Sequence, residues 1–195
     1  MAWQLVTPPA EEPVSLSDAV EHLRVVGDAD QAYVQGLITK ARLWVEGVLD
    51  RQLVTATWKL FVDGFPKRSV DVIEIKKAPV QSIEAVRYAD AAGDEQTWSS
   101  DEYQADLVSE PARLRPLWGY TWPTTRSRQL HAVEIELVAG YGDAADVPAT
   151  LKHAILLLVG HWFSHHEPVL TGTIITPVPF TVQSLLALED WGGYP

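Results

Sequence analysis

Val133-Glu134-Ile135-Glu136-Leu137 alternates apolar and acidic side chains, and a repeat of two is the period of a strand with one buried and one wet face. Trp58, Leu60 and Val62 recur at the same step. Asp63-Gly64, Gly93-Asp94 and several prolines punctuate the stretch between about Thr55 and Val138. Turn residues at such intervals mark a small antiparallel sheet unit.

Outward from this block the period lengthens. Ser15 with Asp18 forms a helix N-cap and an acidic first turn, opening a short helix that Gly27 is expected to end. Asp28 or Asp30 is placed to cap a second helix, in which Val34, Leu37, Ile38, Ala41, Val45, Val48 and Leu49 form one apolar stripe. Beyond the sheet block, Val147-Pro148 introduces a third helix that Pro168 limits. Helices are thus expected near 16–25, 31–50 and 148–167. The third carries Leu151, Ile155, Leu158, Val159 and Trp162 on one side and Leu156, Leu157 and Phe163 elsewhere, so more than one of its faces needs cover. The fold class is α+β: a small helical core (1–54 and 140–167), an inserted antiparallel β unit (55–139) and an extended C-terminal tail (168–195).

The tail is unusual in composition. Pro168 to Leu188 contains no Lys, Arg, Asp or Glu, while Gly172, Pro177 and Pro179 interrupt any continuous helix. A membrane span requires a backbone satisfied internally, so this stretch is not one. Too apolar to stay in water, it must dock on its own domain or on another subunit. The chain reads first as an assembly part.

Composition bounds the remaining classes. With 195 residues, 47% hydrophobic and 21% charged, the chain is long enough for one core with a sizeable insertion. Cysteine is absent, which excludes disulfides, thiolate metal sites and a cysteine nucleophile. The opening MAWQLVTPPAEEP lacks a basic segment followed by an apolar one, so no signal peptide is expected and synthesis is expected in the cytoplasm. A net charge of -11 opposes a surface that grips phosphate backbones, because such binding draws on Lys and Arg displacing counterions.

LVTPPAEEPVSLSDAVEHLRV, GDADQAYVQGLITKARLWVEGVLDRQL, the late AGYGDAADVPATLKHAILLLVGHWFSHHE and PFTVQSLLAL occur in that order. Together they resemble the head–tail connector, or head-completion adaptor, proteins of tailed phages, also found in phage-derived gene transfer agents. The resemblance runs from about Leu5 to Leu188; the ending WGGYP and the pair His165-His166 depart from it. It implies a ring of about a dozen copies under the capsid portal that extends the DNA channel and offers a platform to a stopper or tail-completion protein. DNA would pass through without sequence-specific binding, and the chain would sit in the neck of a virion or virus-like particle assembled in the host cytoplasm. On this reading the tail docks on the portal through Ile174, Ile175, Phe180, Val182, Leu185 and Leu186, with Trp191 and Tyr194 as end contacts. The alternative is a monomeric binding module with its site on the β insertion and its tail folded back on its own helices.

Charge is segregated within the insertion. Residues 89–112 hold Asp90, Asp94, Glu95, Asp101, Glu102, Asp106 and Glu110 without a cation, while 113–128 hold Arg113, Arg115, Arg126 and Arg128 without an acid. A head-to-tail ring presents two different patches at each contact, so Asp101 and Glu102 of one copy are expected to meet these arginines of the next. Two solvated loops would give the same pattern. Interleaving of the arginines with Trp118, Tyr120 and Trp122 also looks like a surface on which nucleic acid bases stack. The overall acidity favours a packed loop or a subunit contact instead.

Other chemistry is poorly represented. His161 and His165 share a helix face, but the acid that a zinc hydrolase places between them is missing. Histidines at a helix end more often meet its last carbonyls, so no metal is expected and a His-metal hydrolase is the weakest alternative. Ala139-Gly-Tyr-Gly-Asp143 lacks the Lys of a phosphate loop and reads as a strand-to-helix connection. No G-x-S-x-G elbow occurs. Neither an enzyme nor a cofactor is expected.

Overall fold

The computed structural model describes residues 1–24, 30–126, 128–164 and 180–189. It divides into two compact units, one of residues 1–10 and 55–141 and one of 11–54 and 142–195. The class is α+β, with antiparallel sheets in the first unit and helices in the second.

In the sheet unit the strands are β1 (Ala2–Thr7), β2 (Ala56–Val62), β3 (Ile73–Ile75), β4 (Val80–Ala89), β5 (Glu95–Thr97), β6 (Tyr103–Asp106), β7 (Ala112–Pro116) and β8 (Val133–Ala139). They form a five-stranded sheet of order β1-β2-β8-β4-β5 and a three-stranded sheet of order β3-β7-β6. The alternation over Val133–Leu137 holds. Val133, Ile135, Leu137 and Ala139 are buried while Glu134 and Glu136 are half-exposed, and Leu60 pairs with Ile135 in the antiparallel ladder. β1 is the strand that no alternation marked. It takes the edge beside β2, and most of its side chains are exposed.

Both sheets contribute to one core. Leu60, Val86, Ile135 and Leu137 from the larger meet Ile75 and Leu114 from the smaller, around Trp98 and Trp122. Phe65 stacks on Trp122 at 5.2 Å between ring centroids and meets Trp98 edge-on at 5.4 Å, while Trp98 and Tyr103 stand 4.9 Å apart. Such aromatic pairs contribute about 0.5–1.5 kcal/mol beyond the area they bury.

In the helical unit, α1 (Leu16–Leu23) begins as expected, with the Ser15 hydroxyl accepting from the Asp18 amide at 3.1 Å. It ends where expected, at about Arg24. Arg24 takes a left-handed conformation (φ 54°), and its N–H returns to Glu21 and Val20; Gly27 lies outside the described residues. α2 (Gln31–Leu49) buries Val34, Leu37, Ile38, Ala41 and Val45. Asp30 stands at its N-cap but makes no side-chain capping bond there. α3 (Ala149–Ser164) packs on α2 and on α1. Pro148 sits just outside it, its carbonyl accepting from Leu151 and Lys152. The tail, expected to be extended, contains a two-turn helix, α4 (Phe180–Ala187), that packs on α3.

Polar groups hold this unit together where apolar ones do not reach. Glu12 accepts from Thr39 Oγ1 at 2.8 Å and from Arg42 Nε at 2.7 Å. Arg42 Nη1 donates to Glu46 Oε2 at 2.8 Å, one helical turn on. Glu46 Oε1 in turn accepts from Gln52 Nε2 at 2.7 Å and from the Leu53 amide at 3.1 Å. Burial alone would lower the Arg42 pKa, but the bond to Glu12 and the charges of Glu46 and Glu12 outweigh it and raise the pKa. The neighbouring Glu11 accepts from the Ala144 amide at 2.6 Å, at the start of a single 3-10 turn (Ala144–Asp146) that joins β8 to α3. Gly142, at φ +139°, belongs to this strand-to-helix connection, and Asp146 occupies the space a Cβ would need.

Candidate assembly surfaces

β6 and β7 form a hairpin whose register sets Asp106 opposite Arg113 and Gln104 opposite Arg115. The pairing has a consequence for the segregated charges. Arg113 donates to Asp106 and to Ser109 Oγ within the chain. With its amide oxygen turned toward Arg115, Gln104 accepts from that guanidinium at 2.6 and 3.0 Å. The Asp106 carboxyl is held far below the usual aspartate range, first by the Ser109 hydroxyl, then by the Ser109 amide and by Arg113.

A depressed carboxylate pKa stabilises the fold above the unfolded value, and that contribution disappears as pH falls through the folded one. The Asp106 contribution is therefore complete above about pH 3.8 and fades on further acidification. Carboxyl-carbon NMR titration is expected to show Asp106 still ionised where exposed aspartates have protonated. Arg113→Ala is expected to raise its midpoint, and an unchanged midpoint would remove Arg113 from the cause.

The remaining arginines have different surroundings. The Arg126 guanidinium lies over Gly93, in the turn joining β4 to β5, and the Arg126 amide donates to the Ala89 carbonyl at 3.1 Å. In that turn Asp90 Oδ1 accepts from the amides of Ala92, Gly93 and Asp94. Its pKa is lowered by the bond from Gln96 and by those amides. Arg128 is exposed, with φ 62°, and makes no ion pair among the described residues. Across β4 and β8, Arg87 donates to Glu134 at 2.9 Å and to Glu136 at 2.7 Å, which raises its pKa, and Lys59 joins Glu134 at 2.9 Å.

The aromatic residues between the arginines separate. Trp122 is only 8% exposed, and its indole N–H donates to the Arg68 carbonyl at 3.0 Å. Trp118 is 98% exposed and Tyr120 is also exposed. They stand on a turn closed by the Tyr120 amide on the Leu117 carbonyl at 3.0 Å, with Gly119 at φ +88°. The Leu117 amide donates to the Glu102 carbonyl at 2.9 Å, so this turn starts beside the Asp101-Glu102 segment.

On the tail, Val182 and Leu186 are buried as α4 packs on α3, Leu185 is half-buried and Phe180 is 81% exposed. Ile174, Ile175, Trp191 and Tyr194 lie outside the described residues, as does His165. Among the described residues no three His, Cys, Asp or Glu side chains gather as metal ligands. His22 and His153 meet edge-on at 6.5 Å, a contact that sequence spacing did not indicate because it joins α1 to α3. No helix among the described residues is long and apolar enough to cross a membrane.

No protein-family model and no curated protein sequence matches the chain. Solved structures do. A chain in the neck of an empty gene transfer agent particle, computed with C6 symmetry, superposes with a TM-score of 0.78 at 23% identity, over 100% of each chain. A chain of the native gene transfer agent virion gives 0.77 at 24% identity, over 96% of this chain and 94% of that one. A chain in the neck of the native particle, computed with C12 symmetry, gives 0.67 at 24% identity over 100% of both. The protein therefore has the fold of chains found in gene transfer agent necks, in agreement with the resemblance read from its sequence.

Proposed function

We propose that this protein is a structural, non-enzymatic part of the neck of a phage-like or gene transfer agent particle. In this reading it forms a ring of about a dozen copies under the portal, extends the DNA channel and carries the next neck or tail protein. The observation that supports it best is the fold shared, over the full length of both chains, with a chain of a gene transfer agent neck. The C6 and C12 symmetry of the compared necks supports a ring. A sheet unit faced by the paired charges of Lys59, Arg87, Glu134 and Glu136 suits a wet surface past which DNA slides.

The tail takes a divided role. Val182 and Leu186 stay with α3, leaving Phe180, Leu185 and the exposed Leu188 to meet the portal, with Ile174, Ile175 and Trp191 as further contacts. Burial of Val182 and Leu186 within the chain, with the Thr150 hydroxyl donating to Glu189, favours the monomeric module with a tail folded back. Co-expression with the portal protein of the same particle separates the two readings. The expected result is a complex in which electron micrographs show a ring of this chain capping the portal. A chain that stays monomeric and leaves the portal bare would overturn the proposal.

A further inference from the structure

The Leu117–Tyr120 turn projects an indole into solvent. Trp118 is 98% exposed, Tyr120 follows it, and Gly119 holds the turn in a conformation that residues with a Cβ rarely adopt. An aromatic ring on a rigid turn loses little conformational freedom when covered, and tryptophan is prominent among residues that dominate protein contacts. The backbone bond between Leu117 and Glu102 sets this turn beside the Asp101-Glu102 segment, and neither acid is in an ion pair among the described residues. An aromatic face rimmed by acids repels phosphate and attracts a guanidinium, which stacks on the ring while pairing with a carboxylate.

The same sheet unit offers the complementary chemistry on another loop. Arg113 is taken by Asp106, Arg115 meets Gln104 and Arg126 lies on the Gly93 turn, whereas Arg128 has no such partner and Leu130, two residues on, is 75% exposed. Two unlike patches on one chain make a heterologous contact, the kind that closes into a ring. We infer that Trp118, with Asp101 and Glu102, is the anchor that a second copy of this chain covers with Arg128 and Leu130. This rests on the ring reading above and names the contact within it.

The full chain with p-benzoylphenylalanine in place of Trp118, assembled into particles and irradiated, tests the contact. The expected product is a dimer linked from position 118 to a peptide around 128–132 of another copy. Links only to DNA, to a different protein or within the same chain overturn the inference while leaving the neck assignment intact. Particles that lack the chain altogether overturn both. Charge reversal gives a second readout. Arg128→Glu alone, and Asp101→Arg with Glu102→Arg, are each expected to abolish ring assembly, and all three together to restore it. Trp118→Ala is expected to leave the melting temperature unchanged and to weaken assembly at least tenfold; wild-type assembly by this variant, or absence of rescue in the triple variant, overturns the contact.

Discussion

Glu46→Ala is expected to destabilise the helical unit by about 3–5 kcal/mol, the cost of breaking a buried ion pair from one side. The carboxylate is buried and accepts from Arg42, from Gln52 and from the Leu53 amide. Its removal strands several donors at once. Arg42 would keep Glu12, but the guanidinium end facing Glu46 would be left in a poorly hydrated site. The Leu53 amide follows the left-handed turn at Asp50 that ends α2, so the path out of the helix would also loosen. Glu46→Gln retains an acceptor oxygen without the charge and is expected to fall between wild type and alanine. Urea denaturation followed by far-ultraviolet circular dichroism measures the difference. A loss below about 1 kcal/mol, the worth of an exposed pair, would show that water reaches the network.

Trp98→Ala is the matching test of the sheet unit, with an expected cost of about 3–5 kcal/mol for deleting a buried aromatic side chain. Trp98 is almost wholly buried and meets Phe65, Tyr103 and Trp122 at centroid distances of 5.4, 4.9 and 5.3 Å. The surrounding rings come from separate loops and strands, and they cannot collapse into the space without disturbing the stack of Phe65 on Trp122. Near-ultraviolet circular dichroism is expected to lose the coupled indole signal at temperatures where the far-ultraviolet spectrum persists. Trp98→Phe is expected to recover part of the loss. If alanine were tolerated within about 1 kcal/mol, the cluster would not organise this core.

Much of this architecture was legible because burial and periodicity coincide in it. The stripe on α2 and the alternation in β8 each place apolar residues on one face, and those faces are buried, except in the last turn of α2, where Val48 is exposed and Leu49 half-buried. β1 was hidden for the opposite reason. An edge strand is held by its ladder to β2, and most of its side chains reach solvent, so it leaves little pattern in the residues. α4 was masked by Pro177 and Pro179, which break a long helix but are compatible with one that begins after them at Phe180.

Charge segregation was visible as composition, but its outcome was not. Only the β6–β7 register reveals that Arg113 faces Asp106 in its own chain. Trp118 and Trp122 are four residues apart and chemically identical, yet the turn at Gly119 sends one to solvent and the other to the core. Arg42 and Glu46 had the spacing of an ordinary surface pair. Their burial depends on Glu12, thirty and more residues away in sequence, which no local window contains.

An isolated parallel bridge between Val54 and Gly142 sets the outgoing and returning chain side by side, about 5 Å apart. A doorway that narrow makes the eighty-odd intervening residues a loop with its ends together, and β1 is the one strand of the larger sheet that lies outside it. Chain ends held that close add little loop-closure entropy, so strands beyond the doorway other than β2, which holds β1, could be lengthened or exchanged while the helical frame keeps its shape.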